Sequence, residues 1–143
     1  MIGARSNATF EHIYSEDPAL DTESLSFDAK KYMDTFDRQY LPVRDGSTPT
    51  VFRIRRLSRK RFEAVSALSG HNRAAAVVAY GVQGIENFRL PSGDMLVPEL
   101  TGVGADQHLT AATLDAFFDG GLFAELMNVI IAASGLDPLA DGR

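Results

Sequence analysis

Seven of the chain's 14 basic residues fall between positions 50 and 73: Arg53, Arg55, Arg56, Arg59, Lys60, Arg61 and Arg73, against one acid, Glu63. At that density the side chains can neutralise nucleic-acid phosphates or pair with carboxylates on a protein. Two helical stretches follow, separated by a glycine, in the manner of a helix-turn-helix. A recognition helix, however, needs polar side chains aimed at base edges. Residues 72–80 offer Ala and Val with only Arg73 charged, so nucleic acid ranks behind an acidic protein surface as partner. The simplest reading of the run is a solvated strand face followed by a helix start. Arg59, Lys60 and Arg61 would sit at that helix's N-terminus, where the macrodipole disfavours cations, and this points to an acidic neighbour or a functional use.

Other reactive residue types form no constellation. His12, His71 and His108 lie far apart, without the short spacings of a metal site, and read as surface or capping histidines. Gly81-Val82-Gln83-Gly84 has two glycines but no phosphate-loop lysine and reads as a helix stop and turn. Asp115 and Asp119 are one turn apart on the wet side of a helix. There is no G-x-S-x-G and no cysteine, which excludes thiolate catalysis, disulfides and cysteine–metal ligation. The residues argue for a non-enzymatic protein without cofactor or metal.

Composition bounds the class. With 143 residues, 45% hydrophobic and 23% charged, the chain matches one ordinary soluble globular domain. A net charge of −5 gives no global attraction to nucleic acid. Residues 90–143 hold eight acids and one base, Arg143, so opposed patches can pair within the chain or between copies. Met1-Ile2-Gly3-Ala4-Arg5 is not followed by the apolar run of a signal peptide, so secretion is not expected and the Asn7-Ala8-Thr9 sequon has no use.

The elements that must position these residues are mostly helical. Residues 1–25 are polar and without period, which predicts an extended or flexible N-terminal arm ordered only against another subunit. Residues 26–143 then form one mostly helical domain. Ser26–Gln39 carries Phe27, Tyr32 (or Met33) and Phe36 at helical spacing and is closed by Pro42 and Asp45-Gly46. Thr50–Leu57 is the best strand, with Phe52 and Ile54 on a buried face and Arg53 and Arg55 on a wet one. Ser58 is a natural N-cap for a helix over 58–69, with Gly70 at its C′ position. A small-residue helix over 72–80 follows. Residues 85–90 and 95–97 predict a hairpin about Pro91-Ser92-Gly93-Asp94, and 98–108 a loop. Thr110 caps one C-terminal helix, and Gly120-Gly121 separates it from a second that stops near Gly135 and Pro138. The fold class expected is therefore mainly α with a small β element (strand 50–57 and hairpin 85–97). Its core would draw on Phe62, Val65, Leu68, Val77, Val78, Leu114, Phe117, Leu126, Ile130 and Ile131.

The final helix carries Leu122, Phe123, Leu126, Met127, Val129, Ile130 and Ile131 around most of its circumference, with Glu125 and Asn128 as its polar stripe. So apolar a helix must be buried, in its own core or against another protein. Its apolar part is too short for a bilayer, which takes ~20 residues. Core is the commoner use of such residues; Phe118, Phe123 and Met127, with Arg53, Arg55, Arg59 and Arg61, are the candidates for contact with a partner or a second copy.

Residues 50–138 resemble the tail assembly chaperones of tailed bacteriophages. The matching order is the strand VFRIRRLS, the helix RFEAVSALSG, the Ala-rich AAAVVAYGVQGIENF, a loop beginning LPSGDMLVP, and LTAATLDAFFDGGLFAELMNVIIAASGLDP. Tyr80 to Phe88 is the closest piece to the family's YGLVGWENF-like segment, with Gln83 and Ile85 departing from the usual residues. The resemblance implies a protein of the host cytoplasm that holds tape-measure and tail-tube proteins in an assembly-competent state, its partners being other phage structural or assembly proteins. The first 49 residues lie outside it. They leave room for a minor structural protein of the neck, tail or capsid surface that stays in the virion. A small nucleic-acid-binding protein is the third reading.

Overall fold

Alternation along VFRIR builds the centre of a sheet. The computed structural model describes residues 9–21 and 43–135, and in it β1 (Thr9–His12), β2 (Val51–Arg55) and β3 (Val82–Glu86) form an antiparallel sheet in the order β1-β2-β3. His12 pairs with Phe52 and Glu11 with Arg53. Phe52 and Ile54 face the main core with Val82 and Ile85. The register between β2 and β3 slips between Arg53 and Ile54, where Gln83 is the extra residue on β3, a bulge that bends the strand.

Four helices complete the core on that side: α1 (Arg59–Ser66), α2 (Gly70–Gly81), α3 (Ala111–Ala116) and α4 (Gly120–Gly135). Ser58 caps α1 by accepting from the Arg61 N–H, and Thr110 caps α3 by accepting from that of Thr113, as their positions before the apolar periods predict. In α4 the buried residues are Leu122, Phe123, Leu126, Ile130 and Ser134, a stripe at spacings of three and four. α2 crosses α4 at Gly81, where a Cβ would lie 2.5–2.8 Å from three atoms of Ile130. Phe117 sits between Phe52, Phe88 and Phe123, with ring centroids 5.2–6.2 Å apart. A short β4 (Leu100–Thr101) pairs with β5 (His108–Leu109) around a 3-10 turn at Gly104–Asp106.

The fold is therefore mixed α/β and not mainly helical: strand makes up 21% and helix 42% of the described residues. Three strands carry no legible period. β1 is a four-residue edge strand, and β4 and β5 have two residues each, too short for alternation to stand out. β3 starts immediately after α2, at residues that read as a helix stop. The hairpin at Pro91–Asp94 is present but small, with one bridge between Arg89 and Met95 closed by Leu90–Asp94 and Leu96–Phe88 backbone hydrogen bonds.

Residues 9–21 of the expected arm are part of this packing. Ile13 and Leu20 form a second small core with Val51, and Asp17 accepts from the Ala19 and Thr50 N–H groups. The remainder of the arm and the expected helix over 26–39 lie outside the described residues. Of the expected core, Val65, Val77, Val78, Phe117, Leu126 and Ile130 are buried, Phe62, Leu114 and Ile131 are packed against them, and Leu68 is 39% exposed.

Two substitutions test the crossing. Ile130→Ala should cost ~2–5 kcal/mol in denaturant unfolding. Gly81→Ala should cost ~1–3 kcal/mol by overpacking, and the double variant should lose less than the sum, because the shortened side chain makes room for the new methyl. Strict additivity would show that the two residues do not meet.

Candidate functional site

The arginines of the basic run have partners within the chain. Arg53 lies across from Gly84 on β3 and reaches Glu86 at 2.6 Å and Glu11 at 3.4 Å. Arg59 pairs with Glu63 at 3.6 Å, one turn along α1. Arg61 reaches Asp106 at 3.0 Å and lays its guanidinium 3.9 Å over the Tyr80 ring, which in turn packs on His108. This stack supplies the acidic neighbour that cations at a helix N-terminus call for.

Arg55 departs furthest from its expected wet position. It is only 8% exposed. Its Nε donates to the Tyr80 carbonyl, Nη1 to Gly104 and Nη2 to Ala105 and Gln107, at 2.6–3.2 Å. One planar fork thus ties the end of α2 to the 3-10 turn, a use that depends on the donor geometry of Arg. Burial lowers its pKa and Asp106 opposes that shift. Arg55 is consequently closed to a partner, and Arg53, Arg59 and Arg61 can reach one only by sharing or leaving their own carboxylates.

Of the apolar candidates, Phe118 and Phe123 meet at the junction of α3 and α4, and Met127 lies a turn further along α4. Phe123 is buried and Met127 is packed against the core, while Phe118 is 53% exposed. Its ring meets Phe123 and His71 edge-on, with centroids 5.1 and 5.4 Å away. Phe118 borders a groove of about 450 Å³, lined also by Tyr14, Phe88, Arg89, Leu90, Pro91, Ala116, Phe117, Asp119 and Leu122. Asp119, expected as a wet helix residue, is the N-cap of α4: its Oδ1 accepts from the Leu122 N–H at 2.9 Å. Gly121 lets the Tyr14 hydroxyl approach, since a Cβ there would lie 2.8 Å from it.

Sequence reasoning missed the polar link that fixes the groove's Tyr14 side. Glu125 accepts from the Ser15 N–H at 2.9 Å and from its hydroxyl, and its carboxylate lies 2.7 Å from His12 Nε2. The link spans more than a hundred residues, and its only sequence signal is one acid on an otherwise apolar helix. Burial alone pushes the Glu125 carboxyl up, but the hydrogen bonds from His12 and Ser15 more than reverse this and hold it below the ordinary range. Among the described residues no group of three or more His, Cys, Asp or Glu side chains could hold a metal, and no helix is long and apolar enough to cross a membrane.

A carboxylate with a depressed folded pKa stabilises the fold above its unfolded pKa, and that contribution is lost as pH falls through the folded value. The melting temperature of the native chain should therefore drop more steeply below about pH 5 than that of Glu125→Gln, which has no such proton to take up. Parallel melting curves for the two between about pH 6 and 3 would show that the link carries no charge-dependent stability.

Comparison of the chain with protein-family models, curated proteins and solved structures finds no match.

Proposed function

We propose that this protein acts by contact, as a non-enzymatic assembly protein of a tailed bacteriophage in the manner of a tail assembly chaperone, holding tape-measure or tail-tube proteins in the host cytoplasm before they are incorporated. The observation that carries the contact role is the groove beside Phe118: a half-exposed aromatic ring over an apolar floor, held in place by the cap and packing of α4. Exposed aromatics beside such grooves anchor extended or helical segments of other proteins. The phage assignment comes from the resemblance of residues 50–138 to the family. The internal partners of Arg53, Arg55 and Arg61 weigh against nucleic acid, because phosphates would have to compete with carboxylates and carbonyls already in place.

A minor structural protein of the particle is the second reading. It is favoured by β1, whose outer edge pairs with no described strand and carries Phe10, 39% exposed. Such an edge can extend a sheet into a neighbouring subunit.

Co-expression with the tape-measure and tail-tube proteins of the same phage tests the first reading. The native chain should keep at least one of them soluble and co-purify with it, and Phe118→Asp should reduce capture at least about tenfold with the fold intact. Failure to capture either protein, together with recovery of the chain from purified particles, would replace it with the second.

A further inference from the structure

We propose that the groove beside Phe118 takes an apolar peptide segment of another protein flanked by lysine or arginine, an inference that rests on the contact role above and adds the chemistry of the partner. The buried Phe117 and Leu122 form its floor, Phe88 and Pro91 also line it, and the half-exposed Phe118 stands at its rim. A volume of about 450 Å³ admits a few side chains and no folded domain.

The charge around the groove is uneven. Asp119 borders it, and Tyr14 on the same side stands in the field of Asp119, Glu125 and Glu16. Burial first, and then those three carboxylates, raise the phenol's pKa, the response expected where the potential is negative. Glu125 is met by His12, whereas Glu16 is exposed and Asp119, which caps α4 through one carboxylate oxygen, borders the groove itself. Among the described residues Arg89 is the cation that lines the groove, and its Nη1 donates to the Gly93 carbonyl at 2.8 Å. An acidic segment would meet the carboxylates of Asp119 and Glu16, and a basic one would gain from them. A second copy is the poorer occupant, because Arg53, Arg59 and Arg61 already hold Glu86, Glu63 and Asp106 of their own chain.

Labelled synthetic peptides test this on the full chain by fluorescence anisotropy. One probe carries a leucine–phenylalanine pair flanked by lysines, a second replaces the lysines with glutamates, and a third replaces the apolar pair with serines. The lysine probe should bind roughly three- to tenfold tighter than the glutamate probe at low salt, with the gap narrowing as salt rises. The serine probe should not bind, and Phe118→Ser should weaken the lysine probe about tenfold or more. Asp119→Asn with Glu16→Gln should abolish the lysine preference while circular dichroism stays native, since asparagine still caps a helix. Equal binding of lysine and glutamate probes would overturn the charge assignment and leave the contact role standing. Binding of neither would overturn both. A dimer dispersed by Phe118→Ser, with no peptide bound, would give the groove to a second copy and also overturn the proposal.

Discussion

The last helix cannot be left in water, and the fold is arranged around that constraint. Apolar side chains occupy most of the circumference of α4, so burial on one face is not enough. Ile130 fits against Gly81 of α2, Phe123 packs on Phe117, and Leu126 is fully buried in the main core. The two hydrogen-bonding side chains on its covered sides are met as well. Ser134 accepts the Leu57 N–H and donates to the Ile130 carbonyl, joining the end of β2 to the helix, and Glu125 holds His12 and Ser15. A buried carboxylate without such partners would be costly, so the N-terminal segment is drawn in by a polar requirement of the helix that it covers.

How much of this could be read from residues alone depends on the range over which each signal acts. Caps at Ser58 and Thr110, the β2 alternation at Phe52 and Ile54, the Pro91–Asp94 turn and six of the buried core residues follow from neighbours within one or two turns. Arg55 does not. The alternation rule places it on the wet face with Arg53, but the chain from Gly104 to Gln107 folds over that end of the strand and presents three carbonyls to it. Asp119 follows the same pattern on a smaller scale, because α3 ends at Ala116, three residues before it, and a residue expected inside the helix becomes a cap. The His12–Ser15–Glu125 link joins residues more than a hundred positions apart, and the lone acid of α4 does not by itself show whether it is solvated or paired.

Site legibility divides in the same way. The arginine run stands out because charge density is visible in a sequence, yet Arg53, Arg55, Arg59 and Arg61 are each engaged by groups of their own chain. Phe118 looks like its neighbour Phe117 in the sequence, and only the break between α3 and α4 separates them, one into the core and the other onto the rim of a groove. Surface aromatics of this kind contribute much more to binding than their number suggests, whereas exposed ion pairs contribute little.

Placing a photo-reactive phenylalanine analogue at position 118 and irradiating infected cells would test the contact account most directly. The account predicts a covalent adduct with the tape-measure or tail-tube protein in the lysate and none in finished particles. An adduct found only in finished particles, or none at all at position 118 while the same analogue placed at Val103, an exposed residue that does not line the groove, does cross-link, would contradict it.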